Sequence, residues 1–224
     1  MRVIVTGATG MVGRGVLLEC LAHPDVERVL SLGRSPLGMT HPKLEEVVQP
    51  DLFHLEAVEP RLAGYDACFF CLGVSSVGMK EADYARVTHD LTIGVARVLL
   101  RLDPGLVLVY VSGAGTDSTE KGSTMWARVK GRTENDLLAM GFKAAFMFRP
   151  SYIHPMKGVQ SRTALYRALV PLVKPLYPVL RVLFPGQVTT TEKVGLAMIH
   201  AAQRGCSKRV LDPRDINALA EQRP

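Results

Sequence analysis

The chain opens with a short apolar strand that runs directly into a glycine-rich turn, and this junction constrains the fold more than any other feature. Residues 3–5 read VIV and residues 6–13 read TGATGMVG, after which a helical pattern begins. A strand, glycine turn and helix in this order are typical of a loop that binds phosphate, because the helix start offers unpaired N–H groups and a partial positive charge. The alternative is a plain glycine turn.

Each glycine of this loop has a predicted task. Gly7 permits the tight turn, Gly10 lets a pyrophosphate approach the backbone, and Gly13 lets the helix pack closely on the sheet. The residues predicted to bind the cofactor here are Gly7, Thr9, Gly10, Met11, Val12 and Gly13.

The rest of the chain alternates between apolar runs and helical patterns. Strands are predicted at residues 2–6, 28–32, 46–49, 67–72, 106–111 and 144–148, and helices at about 11–22, 82–102, 126–140 and 191–203. This alternation predicts an α/β fold with a doubly wound parallel sheet of the Rossmann type. We expect a single domain, in which residues 1–153 form the dinucleotide-binding core and residues 154–224 form a small helical substrate-side region.

The composition excludes some classes of function. The formal net charge is +6, which indicates either a solvated basic surface or a basic site for a phosphorylated ligand. The basic residues are scattered and do not form a run interleaved with aromatics, so we expect no nucleic-acid partner.

The four cysteines are too few for a disulfide scaffold in a chain of this size. Cys68 and Cys71 form a C-x-x-C in an apolar run, but residues three apart in a strand face opposite sides. We therefore expect buried free thiols and no metal site. Free thiols and an opening without a secretory pattern lead to the expectation of a cytoplasmic protein.

The end of the second strand predicts which dinucleotide is bound. An NAD site usually has an acidic residue there, whereas this chain has Arg34 followed by Ser35. A guanidinium pairs with a 2′-phosphate that a carboxylate would repel. We therefore expect NADP(H), held by Arg34 and Ser35 with help from Arg14, while NAD(H) stays open. Arg34 as a solvated turn residue is the alternative.

The G-x-x-G-x-x-G spacing after Thr6 resembles the short-chain dehydrogenase superfamily, and the resemblance extends over residues 2–153. In that superfamily a serine follows the fifth strand, and a tyrosine stands four residues before a lysine on the next helix. The resemblance implies that Ser112 hydrogen-bonds the substrate oxygen and that Lys130 holds the nicotinamide ribose. The tyrosine, whose pKa the lysine lowers, would exchange a proton with the substrate.

This chain has Trp126 at the tyrosine position. Residues 126 and 130 share a helix face, so the position is equivalent. An indole N–H is a donor only, so Trp126 can orient an oxygen but cannot act as a general acid or base. Losing a general acid costs about 10²–10⁴ in rate, which need not abolish turnover. Tyr152 and His154 are candidate substitute donors, or else ordinary loop residues.

The resemblance also implies further cofactor contacts. Asp51 and Leu52 match the pair that contacts the adenine, although Asp51 could equally cap a turn. Cys71, Leu72 and Gly73, after the fourth strand, would lie beside the adenine ribose. Pro150 and Ile153, after the sixth strand, would lie against the nicotinamide. The sequences of these segments are similar to those of atypical members of the superfamily, which are grouped with the Tat-interacting protein and with epimerase-like relatives. Some of these members are enzymes and some are regulators.

The stretch from Ser161 to Phe184 is apolar and basic, with three prolines and no acidic residue. The prolines and charges argue against a transmembrane span. A substrate-side lid, a surface for a homodimer or protein partner, and a membrane-surface helix all remain open.

Two functions are consistent with these patterns. One is an NADPH-binding oxidoreductase whose active site Trp126 alters, acting on an unknown small molecule. The other is a non-catalytic NADP(H)-sensing regulator or scaffold that binds a protein partner. A nucleotide-sugar epimerase would need a larger substrate domain than the residues after Ile153 provide.

Overall fold

The computed structural model describes residues 1–159 and 186–222. The strands are β1 (Arg2–Thr6), β2 (Arg28–Gly33), β3 (Leu44–Val48), β4 (Ala67–Phe70), β5 (Val107–Val111), β6 (Ala144–Phe148), β7 (Tyr152–His154), β8 (Val188–Thr190) and β9 (Val210–Leu211). The helices are α1 (Met11–Ala22), α2 (Glu81–Ala85), α3 (Leu91–Leu102), α4 (Met125–Ala139), α5 (Thr191–Arg204) and α6 (Pro213–Ala220), with a 3₁₀ turn at Glu59–Leu62.

Seven of these strands form one parallel sheet in the order β3-β2-β1-β4-β5-β6-β9. This order confirms the predicted doubly wound Rossmann fold. The direction of strand succession reverses between β1 and β4, and ligands of such sheets bind outside the carboxyl ends of the strands at this point. The predicted phosphate loop follows β1 and therefore lies at the reversal.

Both faces of the sheet are covered, because successive residues of a strand point to opposite sides. Val3 and Val5 pack in the layer that contains α1, α5 and α6. Ile4 between them packs in the opposite layer with α3. The continuous apolar runs of the central strands follow from this double burial.

Helix α1 lies unusually close to α5, because glycines stand where the two helices touch. A Cβ atom on Gly15 would lie 2.4 Å from the Cβ of Thr191, and one on Gly195 would lie 2.7 Å from the Cγ of Glu19. The helix that follows the phosphate loop is thus packed directly against the returning C-terminal part of the chain.

The predicted long helix over residues 82–102 is interrupted. Between α2 and α3 the backbone forms a wider π-type turn over Arg86–Asp90, a feature that hydrophobic spacing does not encode. This turn carries His89, which is buried with its ring nitrogens 2.7 Å from carboxylate oxygens of Asp90 and of Asp136 on α4. It therefore links α2–α3 to α4.

A second, two-stranded sheet was not predicted. β7 pairs with β8 in parallel, with Tyr152 opposite Val188 and His154 opposite Thr190. Three-residue strands show too little alternation to be recognised from the sequence. This sheet fastens the residues after β6 to those before α5.

Strand β4 ends at Phe70, two residues earlier than predicted, so Cys71 lies in the following loop. Cys68 packs in the layer with α3 while Cys71 contacts the layer with α1, which agrees with the predicted opposite orientation. All four cysteines are free thiols. Burial raises the pKa of the Cys71 thiol to about 12 and that of Cys68 further, so both are protonated.

The stretch from Ser161 to Phe184 lies outside the described residues, so its predicted roles stay predictions. Within residues 1–159 and 186–222, the helices are all too short or too polar to cross a membrane.

Candidate functional site

The glycine loop between β1 and α1 has the predicted turn geometry. Gly7 adopts a left-handed φ of +70°, and the N–H of Gly10 donates to the carbonyl of Gly7 at 2.8 Å. A Cβ atom on Gly7 would lie 2.6 Å from the carbonyl oxygen of Cys71. The loop after β1 therefore packs on the loop after β4, and only glycine fits at the contact.

The start of α1 is open to an anion. Gly10 is the N-cap and provides no side-chain cap, and the first turn contains no acidic residue. A Cβ atom on Gly13 would lie 2.2 Å from the carbonyl oxygen of Gly7, so Gly13 allows the helix to begin directly behind the turn. Thr9, Met11 and Val12 are half-buried around this helix start. Its N–H groups suit a pyrophosphate.

Two basic side chains, Arg34 and Arg14, flank this loop. Arg34 and Ser35 are exposed just beyond the end of β2, which neighbours β1. Within the described part of the chain, neither Arg34 nor Arg14 on α1 forms an ion pair. Glu46 does not reach them but accepts from the N–H of Leu37 at 2.8 Å, which anchors the loop that carries Arg34.

Asp51 and Leu52 lie at the same sheet edge, beyond β3. The carboxylate of Asp51 accepts from the N–H of Phe53 at 3.0 Å, which is the turn-capping contact that the sequence left open. Leu52 is buried in the core. Any contact of this pair with an adenine would therefore come from the backbone or from the second carboxylate oxygen of Asp51.

Ser112 follows β5 as predicted, but its hydroxyl faces the interior. Ser112 is 9% exposed, and its Oγ donates to Glu134 Oε1 at 2.5 Å. The carbonyl oxygen of Phe148 lies 3.1 Å from the same Oγ. The main-chain carbonyl of Ser112 accepts from Lys130 Nζ at 2.7 Å. The structure thus brings Ser112 and Lys130 together through the backbone of Ser112.

Trp126 and Lys130 stand one turn apart on α4, both half-buried. The indole lies over Gly115, with its Cη2 atom 3.4 Å from the place a Cβ on that glycine would take. Burial lowers the pKa of Lys130 to about 8, although the field of Glu134 opposes this effect. Lys130 therefore changes charge near pH 8.

Glu134 and Arg149 are site residues that the sequence reasoning did not assign. Glu134 is fully buried on α4, and the Nε of Arg149 lies 3.1 Å from both of its carboxylate oxygens. An Nη2 hydrogen bond reinforces the pair, and the same nitrogen donates to Ser118 Oγ at 2.5 Å. A glutamate four residues after Lys130 and an arginine directly before Pro150 were the available signals. The pair joins α4 to the ends of β5 and β6.

The turn after β6 lies against the loop after β5. The carbonyl of Pro150 accepts from the N–H of Ala114 at 2.9 Å, and Ile153 is in the core layer of α1. Tyr152 and His154 share one face of β7, with the tyrosine hydroxyl 3.5 Å from the histidine Nδ1. The loops with Cys71-Leu72-Gly73, Ser112 and Pro150 thus meet at the carboxyl edge of the sheet.

A cavity of about 610 Å³ lies elsewhere, between β8, α5 and α6. Its described lining includes Thr189, Lys193 and Arg214 but none of the predicted site residues. We place the functional site at the glycine loop and not in this cavity, because the loop combines an open helix start with cations that form no ion pair among the residues described.

Comparisons with known proteins show to which family the chain belongs. Residues 3–124 match the profile of the NAD dependent epimerase/dehydratase family. Protein fmp52-1, mitochondrial, of Aspergillus terreus is 32% identical over 67% of this chain and 66% of its own length. Protein HTATIP2 of Rattus norvegicus is 26% identical over 67% of this chain and 62% of its own length. The matches thus span slightly less than two thirds of each relative.

Solved structures share the fold at low sequence identity. An oxidoreductase of the short-chain dehydrogenase/reductase family from Burkholderia thailandensis superposes with a TM-score of 0.67 at 15% identity, covering 96% of this chain and 92% of that one. The Bordetella bronchiseptica enzyme WbmF in complex with NAD⁺ has a TM-score of 0.66 at 15% identity, covering 97% of this chain and 76% of that one.

The expectation of a cytoplasmic protein is wrong by the same comparisons. Relatives from Aspergillus terreus, Eremothecium gossypii and Candida glabrata are all named as mitochondrial proteins. The expectation was based on free thiols and on the first residues, and neither of these reports the compartment to which a chain is delivered.

Proposed function

Because this chain belongs to the NAD dependent epimerase/dehydratase family, we propose that it is an NADP(H)-dependent oxidoreductase with an active site altered at Trp126. The observation that carries the proposal is the glycine loop, where the turn at Gly7, the uncapped start of α1 and the close approach of Gly13 fit a pyrophosphate. Bound there, the reduced dinucleotide would supply a hydride.

Several side chains would hold the dinucleotide. Arg34 and Arg14 would bind the 2′-phosphate, because neither guanidinium has an acidic partner in the described part of the chain. The Ser35 hydroxyl would donate to the same phosphate. Lys130 would donate to the nicotinamide ribose, since its Nζ uses one hydrogen for the Ser112 carbonyl and keeps two others. Trp126 would contact the substrate side.

Proton transfer would differ from that of relatives with a tyrosine. The Trp126 N–H does not ionise, and the Ser112 hydroxyl is donated to Glu134. Neither can replace the missing tyrosine as a general acid in this arrangement. The chain would therefore bind and orient the reactants but leave the proton to another source.

The lack of a general acid at Trp126 and Ser112 also favours a second candidate function, a non-catalytic NADP(H)-sensing regulator. In that case a protein partner or a second copy of the chain would bind through the stretch from Ser161 to Phe184. Oxidation of NADPH with a panel of carbonyls, quinones and flavins distinguishes the two. Tight binding of NADPH with no turnover of any acceptor would support the regulator.

We expect Arg34→Ala to weaken NADPH binding by about 10–100-fold, because a charge-assisted hydrogen bond contributes about 1.5–3 kcal/mol. Binding of NADH should change little. Calorimetric titration of both dinucleotides measures the difference. Arg28→Ala is the matched control, because Arg28 lies at the opposite end of the same strand. Equal losses for NADPH and NADH would contradict the role of Arg34.

Dinucleotide binding should weaken above about pH 8, because Lys130 has its lowered pKa there and loses the proton that it donates to the ribose. The Kd should rise up to about tenfold per pH unit above that midpoint and stay level below it. Fluorescence titration with NADPH from about pH 6.5 to 9.5 measures it. Lys130→Arg stays charged and should remove the dependence; an unchanged profile in this variant would assign the midpoint to another group.

A further inference from the structure

The side chains of Ser112 and Trp126 offer hydrogen bonds at the reaction centre, but neither can pass a proton to a substrate. Ser112 is almost fully buried and donates inward to Glu134. Trp126 lies in the first turn of α4, one turn before Lys130, and its N–H is a donor only. A proton leaving Lys130 therefore cannot pass through the side chain at position 126.

This arrangement selects among hydride acceptors. An aldehyde or ketone that takes a hydride becomes an alkoxide, which is about as basic as hydroxide (water has a pKa of ~15.7), so it needs a general acid in the transition state. A quinone that takes a hydride becomes a phenolate, whose conjugate acid has a pKa near that of tyrosine, about 10. The phenolate is stable enough to leave the site before protonation.

The loop after β4 carries exposed apolar side chains that suit a flat ring. Val77 is 78% exposed and Val74 is 43% exposed, both on the loop after β4. β4 and β5 are parallel neighbours, so this loop and the one that leads from β5 to Trp126 leave the sheet at the same edge. Valine surface and an indole bind a planar ring by apolar burial and aromatic stacking.

We propose that the substrates are quinones, which bind against Trp126 and the Val74–Val77 loop. The quinone accepts a hydride, two electrons with one hydrogen nucleus, and the nicotinamide is left oxidised. The hydroquinone monoanion takes its proton from water, so one quinone, one NADPH and one proton give one hydroquinone and one NADP⁺. This inference depends on the proposed oxidoreductase function.

Binding can be tested without turnover, since Trp126 is the one tryptophan of the sequence. We expect menadione to quench the tryptophan fluorescence of the NADP⁺-loaded protein statically. The quenching should saturate, and the fluorescence lifetime should be unchanged. Val77→Lys should raise the Kd for menadione about tenfold by placing a charge in an apolar contact. The matched control Leu138→Lys, which changes an exposed side chain at the far end of α4, should leave it unchanged.

Turnover tests the proton argument. We expect wild-type protein to reduce menadione at least about 100-fold more efficiently than an aliphatic aldehyde, the range that a general acid supplies. Trp126→Tyr should raise aldehyde reduction by about 10²-fold, whereas Trp126→Phe should not. The primary isotope effect with 4-deuterated NADPH should persist for menadione, with no solvent isotope effect on the same step.

The outcomes separate the two levels of the proposal. If NADPH does not bind, the oxidoreductase function fails and the quinone assignment fails with it. If NADPH binds but menadione neither quenches nor turns over, or if aldehydes are reduced as efficiently as menadione, the quinone assignment alone is overturned. Quenching that is only collisional, as for free tryptophan amide, also overturns it.

Discussion

Gly13→Ala is expected to weaken dinucleotide binding by more than about 100-fold. The added Cβ would lie 2.2 Å from the carbonyl oxygen of Gly7 and 2.9 Å from the backbone nitrogen of Ala8. Since backbone atoms cannot rotate away, the helix and the turn must separate. Overpacking of this kind costs about 3 kcal/mol, and a loss of that size in the loop corresponds to more than about 100-fold in Kd.

Calorimetric titration with NADPH and urea unfolding together measure the effect. The matched control is Gly94→Ala on α3, where a Cβ would meet nothing within 4 Å. That variant should bind NADPH normally and gain about 0.5–1 kcal/mol of stability, because alanine is a better helix residue than glycine. A Gly13→Ala protein that is folded and binds NADPH like wild type would refute the assigned geometry of the loop.

Glu134→Ala should be the most destabilising single change at the site. Removing one partner of a buried ion pair leaves the other charge uncompensated and costs about 3–5 kcal/mol. Here the charge left behind is Arg149, whose side chain is only 15% exposed, and the Ser112 hydroxyl loses its acceptor as well. Urea unfolding measures the loss, which is a large fraction of the stability of a typical domain.

Two further variants separate the buried pair from a general charge effect. Glu81→Ala removes the exposed ion pair between Glu81 on α2 and Arg128, which lies on α4 like Glu134. Its loss should cost at most about 1 kcal/mol of stability. Glu134→Gln keeps an oxygen for Ser112 but removes the negative field that raises the pKa of Lys130. The pH midpoint of NADPH binding should therefore move below that of wild type in Glu134→Gln. An unchanged midpoint would show that Glu134 does not act on Lys130.

The strands, the glycine turn and the helix starts could be predicted because each depends on residues that are neighbours in the sequence. The strand, the three glycines and the helix start at Met11 follow from neighbouring residues, and α1 and β6 have the predicted bounds. The two core layers follow from the alternation of side chains along the strands. The parallel order of the strands follows from the βαβ repeat.

The contacts that complete the site could not be predicted, because they join distant residues. Glu134 and Arg149 are both charged and would be expected on the surface, and only the fold brings them together in the interior. The inward turn of the Ser112 hydroxyl depends on that same carboxylate. The β7–β8 pair joins segments that are separated by more than thirty residues.

The β7–β8 pair also determines where this chain can tolerate change. Parallel neighbours require a crossover between them, and residues 155–187 separate these two strands in the sequence. The entropic cost of closing such a connection grows only logarithmically, so doubling its length costs about 0.6 kcal/mol. A connection of different length between β7 and β8 can therefore be accommodated without rebuilding the seven-stranded sheet.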